Sequence, residues 1–177
     1  MTSTPRADHA WRCALCGAEH RGLAAVFGAN APDPWLMASD EQRALGEIND
    51  DLCVLPLDGQ THYFVRGHIE IPVDDPTIRT FSWSVWASLS EANFDATIEH
   101  WNAPDRAALA PMFGWLCTWL VPYDPPTTGL QVSVRTREPG VVPLIELQHC
   151  DHTLAREQAH GISLHRVAEL NSTLLGE

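Results

Sequence analysis

Basic charge is scarce in this chain: 11 Lys and Arg residues stand against 23 Asp and Glu in 177 positions, a net charge of -12. Such a balance repels polyanions at long range, so neither a nucleic acid nor an anionic membrane is expected as a partner. No export signal is visible, because Met1 to His9 are polar and no basic stretch leads into an apolar core with a cleavage site. The most apolar stretch, Leu109 to Tyr123, carries Pro111, Gly114 and Pro122 and is too short to span a bilayer. Missing too are the glycine-rich dinucleotide and phosphate loops, a Gly-x-Ser-x-Gly elbow and a His-Glu-x-x-His helix. These absences lower the expectation of an enzyme and point to a cytoplasmic protein.

What is present is ordinary globular stock, 45% hydrophobic, with seven Trp as the outlier. The length suits one domain over residues 10–177 behind a flexible tail at 1–9. Ala31-Pro32-Asp33-Pro34 excludes regular structure on this reading, since each Pro removes a donor and restrains its predecessor. Ser39-Asp40-Glu41-Gln42 reads as a capping box for a short helix. Asp51 to Leu57 and Thr61 to Val73 read as a hairpin turning at Asp58-Gly59. In Thr80 to Leu89, Phe81, Trp83, Val85 and Leu89 share one strand face, while Trp86 interrupts a serine-rich opposite face that should be half covered. Ser90 caps a helix from Glu91 to His100.

Phe113 to Leu120, apolar on both faces, reads as a central strand, and Leu130 to Val134 and Val141 to Leu147 supply two more. Asp151 can cap a helix over His152 to His160, which Gly161 stops, and Ser163 can cap the last helix. The sum is an α+β fold: a mainly antiparallel sheet, short helices inserted between strands and two C-terminal helices.

The sharpest chemical signal is Cys13-Ala-Leu-Cys16-Gly17, within an N-terminal knuckle at residues 10–22. Two thiolates two residues apart grip one ion when the turn aims backbone N–H groups at the sulfurs, and Gly17 tolerates the positive φ such a turn wants. One zinc ion is expected, in a tetrahedron that needs two further ligands. His20, four residues past Cys16, and Cys53, a thiol on the hairpin strand, are the candidates, with His152, His68 and Cys150 in reserve. The bland alternative is an unmetallated pair, and a redox pair lacks the βαβ context.

Other polar groups carry weaker signals. Arg66 lies in a hydrophobic strand and needs a carboxylate, for which Glu70 on the same face is the expected partner. His149-Cys150-Asp151-His152 clusters at a strand-to-helix junction, where Asp151 either caps the helix or orients His152. Trp83, Trp86, Trp115 and Trp119 either fill the core or line a ligand groove.

The order of these segments resembles a bacterial domain-of-unknown-function family, numbered 2199. It is carried by Cys13-Ala-Leu-Cys16-Gly17-Ala-Glu-His20, Asp51-Leu52-Cys53-Val54, Phe64-Val65-Arg66-Gly67 with Ile71-Pro72-Val73, Val85 to Glu91, Phe113 to Leu116, and Glu157-Gln158 with Gly161-Ile162. The likeness runs from about residue 12 to residue 168. Ser84 replaces a usual Gly, and His152-Thr153-Leu154-Ala155 replaces a usual His-Pro-Leu-Ala. The resemblance implies a bacterial cytoplasmic protein, marks Cys13, Cys16, His20, Cys53 and His152 as positions to test, and supplies no activity.

Three functions fit. The leading one is a non-catalytic, zinc-stabilised domain that binds another protein or a small ligand. A metal-dependent hydrolase would instead need an open zinc position and a base such as His152 or Glu70. A regulatory or immunity-type partner of another protein is the third.

Overall fold

A computed structural model describes residues 11–12, 17, 19–20 and 22–175 of the chain. The expected tail at 1–9, Cys13 and Cys16 lie outside the described residues. At the N-terminus β1 (Trp11–Arg12) and β2 (Glu19–His20) form a small antiparallel pair. The main sheet holds β3 (Val26–Gly28), β4 (Glu47–Ile48), β5 (Leu52–Leu57), β6 (Gln60–Pro72), β7 (Thr80–Leu89), β8 (Met112–Leu116), β9 (Gln131–Arg135) and β10 (Leu144–Leu147). Helices α1 (Asp33–Met37), α2 (Asp40–Arg43) and α3 (Glu91–Glu99) are inserted between strands, and α4 (Thr153–His160) and α5 (Leu164–Leu175) close the chain. No helix among the described residues is long and apolar enough to cross a membrane.

Strands β6 to β10 form a closed barrel. Each neighbour in the series is antiparallel, and β10 returns to β6 in parallel at Leu144 and His68. An odd number of up-and-down strands can close only through one parallel pair. At that seam a Cβ on Gly67 would lie 2.7 Å from the Pro143 carbonyl oxygen and 2.8 Å from Ile145 Cγ1. His68 N–H donates to the same Pro143 oxygen at 2.8 Å. Inside the barrel pack Val65, Ile69, Trp83, Val85, Val132 and Ile145, and Leu154 of α4 and Leu170 of α5 join the same core.

The local signals act as expected in several places. The β5–β6 hairpin turns on Asp58 and Gly59, both at positive φ, the geometry two-residue hairpin loops prefer. Ser39 and Gln42 form the reciprocal capping box of α2, and Ser90 Oγ accepts from Asn93 N–H at the start of α3. Strand β7 spans the expected residues, and its second face is buried in the middle, at Ser82, Ser84 and Trp86, and opens at its ends, Thr80 and Ser88. Trp86 packs there with Cys53, Leu55, Phe64 and Cys117, and its indole N–H donates to the Ala29 carbonyl at 3.1 Å.

Four expectations need correction. The Pro32–Pro34 segment does contain structure: α1 starts at Asp33 with Pro34 in its first turn, where the missing N–H has no intrahelical partner to lose. The central strand ends at Leu116 rather than Leu120, because threonine hydroxyls replace ladder partners beyond it. Trp86 N–H donates to Thr118 Oγ1 at 2.9 Å and Leu120 N–H to Thr127 Oγ1 at 2.8 Å. The strand expected from Val141 begins only at Leu144. The cap of α4 is His152, not Asp151: His152 Nδ1 accepts from Leu154 N–H at 3.1 Å, while exposed Asp151 pairs with Arg156.

Candidate functional site

The N-terminal pair is the scaffold of the expected knuckle. Trp11 stands opposite His20 and Arg12 opposite Glu19 in an antiparallel register. Gly17 takes φ +71°, the left-handed value expected after the second Cys, and its carbonyl accepts from Arg12 Nε at 3.2 Å. The Cys13 and Cys16 sulfurs are outside the described residues, and of His20 only the backbone position on β2 is described.

The remaining candidate ligands are spread apart in role. Cys53, on β5, is fully buried among Leu55, Phe64 and Trp86, and burial pushes its thiol up to about 12. Cys117 lies in the same apolar cluster and is pushed up to about 11 for the same reason. His152 is buried with both ring nitrogens engaged, Nδ1 as the helix cap and Nε2 on the Pro125 carbonyl at 2.9 Å. Cys150 is half-buried. Among the described residues no three His, Cys, Asp or Glu side chains are grouped to hold a metal ion.

The expected Arg66–Glu70 pair does not form. Arg66 reaches Asp51 at 2.9 Å and Glu70 binds Arg137 at 2.7 Å. Both partners come from outside β6, and neither pairing could be read from strand spacing. His68 lies between these ion pairs. Burial lowers its pKa first, Arg137 lowers it further, and Glu70 opposes them. Neither proposed base is idle: Glu70 is held by Arg137, and His152 by two hydrogen bonds.

The densest buried polar network is one that sequence reading passed over. Tyr123 O–H donates to Glu157 Oε2 at 2.5 Å and accepts from Trp83 Nε1 at 3.1 Å. Glu157 Oε1 accepts from Arg166 Nε at 2.8 Å, so α4, α5 and the barrel meet on one carboxylate. Burial, then the Glu157 charge, pushes the Tyr123 hydroxyl far up, and it stays protonated. Every donor in this chain of bonds has an acceptor, which suits fixing an orientation better than moving a proton.

Arg106 was missed as well. It is 1% exposed, with its guanidinium 4.4 Å above the Trp101 ring, and its Nε and Nη2 have no hydrogen-bond partner among the described residues. The one local cue was Trp101 five residues earlier. The tryptophans divide between the two expected roles: Trp83 and Trp86 are core, whereas Trp115 and Trp119 are 44% and 58% exposed. Phe113 joins them at 47% exposure, its ring edge-on to Trp115 with centroids 5.2 Å apart.

No curated protein and no solved structure matches this chain. A bacterial family profile, described as "Uncharacterized protein conserved in bacteria (DUF2199)", matches residues 12–162, from β1 to two residues past α4. With that match spanning most of the chain, the protein belongs to this bacterial family.

Proposed function

We propose that this protein is a non-catalytic binding domain, stabilised by one zinc ion at its N-terminal hairpin, that docks another protein through the outer face of β8. The carrying observation is the solvent exposure of Phe113, Trp115 and Trp119 in a chain whose core already buries Trp83 and Trp86. Strand alternation explains the first two: Met112, Gly114 and Leu116 point inward, so Phe113 and Trp115 point out, and Trp119 follows beyond the end of the strand. Water-exposed aromatic clusters are costly to keep in a monomer, and aromatic anchors dominate protein interfaces.

The zinc reading rests on the antiparallel pairing of β1 with β2 and on the φ of Gly17. Cys13, Cys16 and His20 are the proposed ligands, with Cys53 as the fourth. His152 would have to give up two hydrogen bonds to serve. Thiolate ligands would hold the ion in a closed site, where it supplies folding energy rather than chemistry.

Two measurements test the two halves. Elemental analysis of protein purified without added metal should find close to one zinc per chain, lost in Cys13→Ser and Cys16→Ser. Protein without zinc ends the metal half, and full zinc in Cys53→Ser moves the fourth ligand elsewhere. For the docking half, affinity purification from the bacterial host compares wild type with a Trp115→Ala/Trp119→Ala variant. A partner is expected that rebinds purified wild type and loses at least about 2 kcal/mol with the double variant. An identical partner set and affinity for both proteins would remove β8 as the docking face.

A further inference from the structure

We infer that a second surface, the groove between α3 and the β4–β5 edge, binds a basic amphipathic peptide segment of a partner protein. The groove follows from strand register. β5 pairs with β6 only from Gln60 to Val65, and β10 meets β6 at His68, so β5 extends the wall beyond the point where the barrel closes. There the cleft-facing side chains Leu52 and Val54 of β5 are only half-buried, beside Phe94 and Ile98 of α3. What remains is a cleft of about 590 Å³ lined by Trp35, Ile48, Leu52, Val54, Phe94 and Ile98. It continues, through shared Asn49, Leu52 and Ile98, into a second hollow of about 620 Å³ beside Asp50, Asp51 and Trp101.

Charge selects the occupant. Glu47 and Asp50 are exposed on the rim and meet no basic side chain among the described residues. Asp95 and Glu99 add two exposed carboxylates on the α3 wall, next in sequence to Phe94 and Ile98. The nearby cations are turned away from the opening. Arg66 is spent on Asp51, and Arg106 is buried against the Trp101 ring. An apolar floor rimmed by uncompensated carboxylates fits bulky apolar side chains followed by an Arg or Lys. The apolar residues enter between α3 and β5, and the cation reaches the unpaired rim carboxylates Glu47 and Asp50. Ile98, 48% exposed on the wall, is the side chain such a peptide would cover.

A second copy of this chain is a poor occupant, since two molecules of charge -12 repel. The reading stands apart from docking on β8 and uses different residues.

The test is selection of displayed random 16-residue peptides on the full-length protein, followed by fluorescence anisotropy with the enriched peptides. Enriched sequences should combine spaced bulky apolar residues with net positive charge. Binding should weaken at least about tenfold in Ile98→Asp and in Glu47→Lys/Asp50→Lys, fall with added salt, and survive Trp115→Ala/Trp119→Ala. The substituted groove residues are exposed or on the rim, and circular dichroism of each variant verifies the fold. Peptides without basic residues, binding indifferent to the Ile98 and rim variants, or no enrichment would overturn the proposal. So would sedimentation showing a dimer that Ile98→Asp dissolves.

Discussion

Tyr123 shows how one side chain can lock distant segments of this protein. Its hydroxyl sits between the Trp83 indole N–H inside the barrel and the Glu157 carboxylate on α4, and Arg166 of α5 holds the other oxygen of that carboxylate. Tyr123→Phe keeps the ring and removes only the oxygen, leaving a buried indole donor and a carboxylate oxygen unpaired. The expected loss is about 1–3 kcal/mol in urea denaturation, against almost none for exposed His149→Ala. Equal midpoints for the two variants would mean that water replaces the hydroxyl freely. Burial alone does not mark a site here. Cys53, Cys117 and His152 are all buried, yet the first two lie in apolar packing and the third spends both nitrogens on backbone. Of the candidate ligands read from sequence, Cys53 and His152 can be placed fully, and the structure gives each a packing or capping role beside any metal role.

At the scale of elements, long β6 organises the molecule. It runs antiparallel to β7 over ten residue pairs, carries β5 on its first half and accepts β10 on its second. The alternating apolar pattern of β7 and the Asp58-Gly59 turn made these two strands and their hairpin legible in sequence. The parallel closure was not legible, because no local pattern records which strand returns to which edge. Gly67 is the nearest thing to a trace of it. Gly67→Ala is expected to cost about 1–3 kcal/mol, since a methyl group there meets the Pro143 carbonyl and Ile145. A chemical denaturation curve unchanged from wild type would show that β10 can give way without cost.

For the whole molecule, the acidic balance governs which partners can approach. Short duplex DNA should show no anisotropy change with protein titrated to about 100 µM at low salt, a range in which non-specific binders saturate. Saturable binding there would reveal an arginine patch strong enough to override a net charge of -12. The sequence by itself determined what acts over a few residues: the Ser39–Gln42 capping box, the Ser90 cap, the tight turn, the face alternation of β7, the Cys-x-x-Cys spacing and the left-handed Gly17. Only the tertiary structure decided which Trp face water, that Arg66 and Glu70 take separate partners, and where an open groove remains. Turns and caps are settled by the backbone and its nearest neighbours. Exposure and ion pairing depend on segments brought together by barrel closure, and β-strand partners are chosen by the packing of all strands at once.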